Sequence, residues 1–339
     1  MRLALDAMGG DDAPRAMVAG AVDYARAFPA HTVVLVGREA DLRAELARVG
    51  GAPPNLVVEH SPDVIGMADK ISALKERPHN SIVRCAEMLK QGAVDGIVLC
   101  GNTACSVVTA QLHLRRIPGV KRAGLLAPLP KPTGHTWICD VGANNIGKAE
   151  HLVQFAEMTA AFLTAAMGHT NPSVGVLSNG EEDEKGIELT HETLALLRKT
   201  GLNVLGQVEG HHIYSRADLD IVVCDGFVGN IVLKTSEGVE NGLRKIIKEE
   251  ITRGFWTRIG GLLVRPAFAG VRRRVDWRFV GGSPLLGVDG VTIKGHGRSD
   301  KVAIFHALKQ AAGCVEGGLI ESLRTHFKTT PLATAIAAD

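Results

Sequence analysis

Aromatic side chains are scarce in this sequence, 4% of 339 residues, which argues against the stacking platform of a single-stranded nucleic-acid binder. No GxGxxG and no GxxxxGK[ST] occurs, so the dinucleotide and P-loop fingerprints are missing. The six cysteines (Cys85, Cys100, Cys105, Cys139, Cys224, Cys314) include no CxxC pair. Neither a zinc framework nor a disulfide scaffold follows, and no metal or cofactor is expected. Three of them, Cys100, Cys139 and Cys224, end apolar runs and read as small core residues. No uninterrupted run of about 18 apolar residues exists, which argues against a transmembrane helix. The first residues enter a strand directly instead of forming a signal peptide, so a reducing cytoplasm is the expected compartment. A net charge of +2 exerts no global pull on polyanions, and nucleic acid is not an expected partner.

What is present is the ordinary material of a large α/β domain: 45% hydrophobic and 22% charged residues, enough chain to bury a sizeable core. Strand and helix patterns alternate, which predicts a mostly parallel sheet with crossover helices. Strands are expected over residues 2–5, 31–36, 56–59, 94–100, 135–140, 173–177, 204–206 and 221–224. Helices are expected over 14–27 (capped by Asp11 or Asp12), 39–49, 81–91, 103–115, 150–167, 185–200, 229–252 and 299–324. Residues 61–80 break the rhythm and are expected to cover part of a site. Residues 124–132, rich in proline, read as a strand end and loop, and 280–297 as a loop. One domain over 1–328 is expected, with an amphipathic insertion near 252–278 and a frayed tail at 329–339.

Short Gly- and Asn-rich runs stand where apolar runs end. They are Asp6-Ala-Met-Gly-Gly-Asp-Asp12, Gly101-Asn-Thr103, Asp140-Val-Gly-Ala-Asn144, Asn179-Gly-Glu-Glu-Asp-Glu-Lys-Gly186, Asp225-Gly-Phe-Val-Gly-Asn230 and Gly281-Gly-Ser-Pro-Leu-Leu-Gly287. Ligands of open α/β sheets bind outside the carboxyl ends of the strands. These turns are therefore expected to gather at one edge as one large anion site of backbone N–H groups and small polar side chains. Each also has a plain structural reading. Three aspartates in the first turn would repel a bare phosphate; they suit capping, pairing with a cationic side chain or holding a cation. Gly101-Asn102-Thr103 serves an anion or an N-cap, and Cys105 one turn on is a candidate low-pKa thiol with no histidine base near it in sequence. Four acids before Lys185 are a solvated helix start or carboxylates holding a lysine. Asn230 is a cap or an oxyanion donor. His296 lies between glycines and is structural or part of a site. His211 and His212, if on a strand, point to opposite faces and do not share a metal.

Residues 254–278 are the compositional anomaly. Trp256, Ile259, Leu262 and Leu263 recur at helical spacing, Phe268, Val271 and Val275 repeat the pattern after Pro266, and six arginines, Arg272, Arg273 and Arg274 among them, with Arg253 just before, stand against the single Asp276. An apolar stripe with arginines opposite suits an interfacial membrane helix. The same pattern suits a helical pair packed on the core or a partner subunit, and an acidic protein partner.

Taken together and in order, Asp6–Asp11, Gly101–Thr103, Asp140–Asn144, Gly180–Gly186, Val208-Glu-Gly210, Cys224–Asn230, Gly281–Gly287 and His296-Gly297 resemble the bacterial acyl-ACP:phosphate acyltransferases of phospholipid synthesis. The resemblance spans nearly the whole chain. It implies a three-layer α/β/α sandwich similar to phosphotransacetylase and isocitrate-dehydrogenase-like folds. It also implies a homodimer resting peripherally on an anionic membrane surface, which favours membrane contact for Trp256, Ile259, Leu262, Leu263, Phe268, Val271 and Arg272 to Arg274. The implied reaction joins a long-chain acyl group from acyl-ACP to inorganic phosphate, and the acyl phosphate feeds a glycerol-3-phosphate acyltransferase. The family's catalytic lysine and asparagine fall on Lys185 and Asn230, and phosphate binding is expected at Gly9, Gly10, Gly101, Asn102, Thr103, Asn144, Gly229 and His296. The sequence departs from the family's usual pattern at Ala104-Cys105, Ser178-Asn179-Gly180 and His211-His212. Two rivals stand beside this reading: a nicotinamide-dependent dehydrogenase on the related fold, disfavoured by the missing fingerprint, and a membrane-surface scaffold, which leaves the ordered glycine turns unexplained.

Overall fold

A computed structural model describes residues 1–329, without the side chains of Arg272 and Arg273. Thr329 closes a helix; the rest of the expected frayed tail lies outside the described residues. The chain runs β1 (Arg2–Asp6), α1 (Arg15–Ala27), β2 (Thr32–Gly37), α2 (Glu39–Arg48), β3 (Leu56–His60), α3 (Ala73–Glu76), α4 (Ser81–Lys90), β4 (Gly96–Leu99), α5 (Thr103–His113), β5 (Gly124–Lys131), β6 (Gly134–Cys139) and α6 (Ala149–Met167). It continues β7 (Ser173–Ser178), α7 (Glu188–Leu197), β8 (Asn203–Glu209), α8 (His212–Ser215), β9 (Ile221–Val223), α9 (Gly226–Thr252), α10 (Phe255–Val275), β10 (Ser283–Leu286), β11 (Val291–Lys294), α11 (Lys301–Glu316) and α12 (Leu319–Thr329).

All eleven strands form one sheet in the order β3-β2-β1-β4-β11-β10-β5-β6-β9-β7-β8. Alternate strand residues feed two cores, as period-2 geometry requires. Leu3, Leu5, Val33 and Leu35 join α1, α6 and α11 on one face; Ala4, Val34 and Val36 join α4 and α5 on the other. The result is the three-layer α/β/α sandwich. Parallel strands buried on both faces explain the continuous apolar runs.

Strand direction corrects the single-edge expectation. β3, β2, β1, β4 and β11 are parallel, and so are β6, β9, β7 and β8. Between the sets lie three antiparallel pairings, β11 with β10, β10 with β5 and β5 with β6. An odd number of reversals makes the sets run oppositely, so their carboxyl ends lie at opposite edges of the sheet.

Residues 280–297, expected as a loop, contain the β10–β11 hairpin at the centre of the sheet. Residues 124–131 form a full strand despite two prolines. Leu125 N–H donates to Asp140 Oδ1 and its carbonyl accepts from Val141 N–H. Odd-numbered residues therefore face β6, and Pro128 and Pro130 turn their missing N–H groups to the side that β10 has left open, since its pairing ends at Leu125. Helix α1 is capped by neither aspartate: Pro14 holds the N-cap position with no side-chain bond. Helix α7 starts three residues after Lys185, α9 starts three residues before Gly229, and the expected 299–324 helix breaks between α11 and α12 at Gly318, whose φ of +65° suits glycine. His211 and His212 lie beyond β8 at the start of α8, with ring centroids 4.0 Å apart, not on a strand.

Candidate active site

The first edge gathers the ends of three neighbouring strands, β1, β4 and β11. Asp6 ends β1 fully buried; its Oδ1 accepts from Ser81 Oγ (2.6 Å) and Met8 N–H (3.2 Å), while Oδ2 has no hydrogen-bond partner among the described residues. Burial pushes its carboxyl up, against those hydrogen bonds and the nearby Lys294. The turns above it interlock. A Cβ on Gly9 would stand 2.3 Å from Gly101 N and 2.4 Å from Asp6 Oδ2. Gly10, at φ +106°, faces the Gly297 carbonyl, which accepts from Asp11 N–H at 2.8 Å; Gly295 N–H donates to Leu99 O at 2.8 Å.

Asn102 caps α5, its Oδ1 accepting from Cys105 N–H (3.1 Å), and its Nδ2 donates to Met67 O and Asp69 O (2.9 Å each). Segment 61–80 thus lies over this turn. Thr103 is exposed on the lining of the cleft described below. The Cys105 thiol is buried and pushed up by that burial, with nearby Asp69 adding to it, the reverse of an activated nucleophile.

Lys294 lies in residues 280–297, which the sequence reads as a loop, but it ends strand β11. It is buried, donates to the Gly295 carbonyl and lines the cleft. Burial draws its pKa down to about 8, with Lys234 pushing the same way and Cys100 and Asp6 resisting. The available signal was Lys-Gly-His-Gly, a buried cation entering a glycine turn.

The second edge follows β6, β7 and β9. Asp140 is buried and accepts five hydrogen bonds: Leu125, Gly142 and Ala143 N–H on Oδ1, and Asn144 N–H and Nδ2 on Oδ2. Asn144 Nδ2 also donates to Ala123 O (2.7 Å), so its side chain holds the turn together. Gly229 is there for close approach; a Cβ would stand 1.9 Å from Asp140 O. Asp225 caps α9 through Phe227 and Val228 N–H. Asn230 is therefore released from capping and projects, exposed, into the cleft. Lys185 is exposed in the turn after β7, outside the cleft lining. The acids before it do not hold it: Glu181 reaches Arg216 Nη1 (3.3 Å) and His212 Nδ1 (3.5 Å), and no ion pair of Lys185 is found among the described residues.

Helix α9 joins the edges. It leaves β9 at the second edge and lies against β6 and β5, carrying Lys234 and Glu237 to the first. Glu237 meets His296 Nε2 (Oε1, 3.5 Å) and Lys234 Nζ (Oε2, 3.0 Å). Burial pushes its carboxyl up, but the bonds from His296 and Lys234 prevail and hold it at about 2. His296 stacks near Trp277, centroids 4.9 Å apart, and accepts Arg298 N–H on Nδ1.

The cleft so formed has a volume of about 1210 Å³, beyond the ~300–1,000 Å³ of common small-ligand sites. It is lined by Lys294, His296, Lys234 and Arg298 around Glu237 and by the apolar Leu125, Leu129, Leu233, Leu243, Ile247 and Phe268. Residues 254–278, read as a helical pair, are one helix, α10, with Pro266 inside it; the pair is α9 with α10, which pack together. The expected stripe divides. Phe268, Val271 and Val275 line the cleft, with Phe268 and Val271 still 41% and 56% exposed, whereas Trp256, Leu262 and Leu263, 79%, 68% and 77% exposed, and Ile259, 38% exposed, lie outside its lining. Arg274 is exposed; the side chains of Arg272 and Arg273 lie outside the described residues. No helix among the described residues is long and apolar enough to cross a membrane, and no group of three or more His, Cys, Asp and Glu among them is placed to hold a metal ion.

A family model described as "Fatty acid synthesis protein" matches residues 1–322. The phosphate acyltransferase of Myxococcus xanthus is 44% identical over 324 residues, covering 94% of this chain and 91% of that protein. That of Pelotomaculum thermopropionicum is 40% identical over 331 residues, covering 97% and 96%. Among solved structures, a phosphotransacetylase from Streptococcus pyogenes superposes with a TM-score of 0.63 at 15% identity, covering 95% of this chain and 94% of that one. A 4-hydroxythreonine-4-phosphate dehydrogenase from Klebsiella pneumoniae gives 0.52 at 14% identity, covering 96% and 97%. At such identities the structural likeness concerns the fold alone.

Proposed function

Because this chain belongs to the phosphate acyltransferase family, we propose that it transfers a long-chain acyl group from an acyl-ACP thioester to inorganic phosphate, giving acyl phosphate for glycerol-3-phosphate acylation in phospholipid synthesis. The observation that carries this reading is the cleft itself: it combines a cluster of cationic side chains, buried Lys294 among them, with an extensive apolar lining. A phosphate needs the first and an acyl chain the second.

Phosphate is a competent oxygen nucleophile, so transfer is direct. A phosphate oxygen attacks the thioester carbonyl carbon, the C–S bond breaks, and the proton of the hydrogen phosphate ends on the departing thiol. The chain holds the two reactants together and stabilises the developing oxyanion. Asn230, free of capping duty and facing the cleft, donates to that oxyanion. Gly9, Gly10, Gly101 and Thr103 shape the phosphate end, with His296 steadied by Glu237. Asn102, Asn144 and Gly229 serve by holding their turns. Lys185, exposed at the second edge and outside the cleft lining, acts on the acyl donor.

The outer face of α10 is assigned to an anionic membrane surface. Each buried Leu adds roughly 1.5–3 kcal/mol and each nearby arginine about 1 kcal/mol, ample for reversible binding at the cytoplasmic side. A homodimer and hand-over of acyl phosphate to the glycerol-3-phosphate acyltransferase complete the proposal. The deciding assay incubates the full chain with long-chain acyl-ACP and inorganic phosphate and traps acyl phosphate as the hydroxamate. Phosphate-dependent product is expected; folded protein with intact donor and no product would overturn the reading. Acyl-Cys105 trapped during turnover would overturn direct transfer.

A further inference from the structure

Lys294 is the buried cation that the family reading leaves without a task. It stands 6% exposed at the end of β11, one strand from Leu99 of β4 and two from Asp6 of β1. A lysine ammonium is rarely left in such a place without a partner. What surrounds it is one neutral acceptor, the Gly295 carbonyl, and the field of Asp6, whose Oδ2 lacks a hydrogen-bond partner among the described residues. No ion pair of Lys294 is found among them. An ammonium has three donors, and only one hydrogen bond of Lys294 is seen. The group therefore has unused hydrogen-bonding capacity where the cleft reaches the glycine turns, and Lys234, His296 and Arg298 line the same end.

We propose that Lys294 is the direct ligand of the inorganic phosphate nucleophile, with Asp6 as the positioning counter-charge that keeps the lysine protonated in its buried site. The inference rests on the family reading for the identity of the anion, and it places the phosphate ligand on β11, at the sheet edge opposite Lys185. Phosphate lies against Thr103 and the Gly295–Gly297 turn, which line the cleft, with the interlocked Gly9 and Gly101 turns packed behind them. Lys294 forms and breaks no covalent bond. It offsets the phosphate charge and aims one oxygen at a thioester carbonyl held beside Asn230. The charged and titratable groups facing it are Asp6 from β1, Cys100 after β4 and Lys234 from α9. Its charge is present below about pH 8 and is lost above it.

The test is calorimetric titration of the full chain with inorganic phosphate, beside the steady-state KM for phosphate and for acyl donor. Lys294→Met should weaken phosphate binding about 10- to 100-fold, the effect of one charge-assisted hydrogen bond, and leave the KM for donor unchanged. Lys294→Arg should restore most of it, and Lys185→Met should bind phosphate like the wild type. Wild-type affinity should fall above about pH 8, and in Asp6→Asn the fall should begin at lower pH because the lysine has lost its counter-charge. Phosphate binding unchanged in Lys294→Met, lost instead in Lys185→Met, or absent from the wild type would overturn the proposal. If Lys294→Met does not fold, by circular dichroism, an unshifted pH profile in Asp6→Asn would overturn it. Phosphate binding that depends on Lys294 in a protein that makes no acyl phosphate would leave the site standing and sink the proposed reaction.

Discussion

Asp6 closes β1 and Asp140 follows β6; each is buried beneath a glycine-bearing turn, and burial pushes both carboxyls up. Asp140 spends both oxygens on five donors from its own turn and from Leu125 and Asn144. Asp6 takes two donors on one oxygen, has no hydrogen-bond partner on the other among the described residues, and lies in the field of Lys294. Two similar strand-turn signatures are thus built for different ends. A carboxylate saturated by its own backbone locks a turn. One that retains an open acceptor next to a buried cation sets the charge of a site. The two sheet edges follow the same division, one organised around Asp140 as scaffold and the other around Asp6 and Lys294 as binding end.

The largest effect should come from Asp140→Ala. Leu125 N–H would be left buried and unpaired at about 1–3 kcal/mol, and the four part-buried bonds from Gly142, Ala143 and Asn144 would be lost at about 0.5–1.5 kcal/mol each, so a stability loss above about 3 kcal/mol is expected in urea unfolding. A loss below about 1 kcal/mol would erase the contrast with Asp6. Asn230→Ala should lower kcat about 10²- to 10³-fold with little change in urea midpoint, since Asp225 and not Asn230 caps α9. A midpoint shift as large as that of Asp140→Ala would return Asn230 to the scaffold.

Gly9→Ala follows. Its methyl would stand 2.3 Å from Gly101 N, which forces the interlocked turns apart at about 1–3 kcal/mol and should raise the KM for phosphate more than that for donor. Equal rises would separate this turn from the phosphate end. The smallest effect belongs to Glu237, which ties α9 to the first edge. Its folded pKa lies near 2, below the ordinary 4.5. Its contribution is complete above about pH 4.5 and is lost as pH falls toward 2. With Lys234 57% exposed, solvent screening keeps it near 1 kcal/mol. Glu237→Gln should remove that part of the acid slope in thermal melts.

Much of the scaffold was legible in local pattern. Apolar runs placed β1, β2, β4, β7 and β9 within a residue or two, because a strand buried on both faces must be continuous in Val, Ile and Leu. The Asn102 turn also read correctly as opening a helix, since an asparagine cap is a local device. Other elements were hidden by physics that is not local. Pro128 and Pro130 argue against a strand unless the neighbour is known to be absent on that side. The 281–287 run reads as a loop until β10 is seen pairing with β5 and β11. Lys294 reads as part of the same loop, since burial of an ammonium is decided by what packs around it.

By itself the sequence determined where chain direction changes, which residues face a core and which turns need glycine, because hydrophobic period and backbone sterics act over a few residues. Only the tertiary structure decided that the two parallel sets run oppositely, that α9 carries Lys234 and Glu237 across β5 to His296, and that Lys294 lines the cleft within the field of Asp6 while Lys185 stays outside it. Those outcomes depend on hydrogen bonds and burial between residues far apart in the chain, which no local pattern encodes.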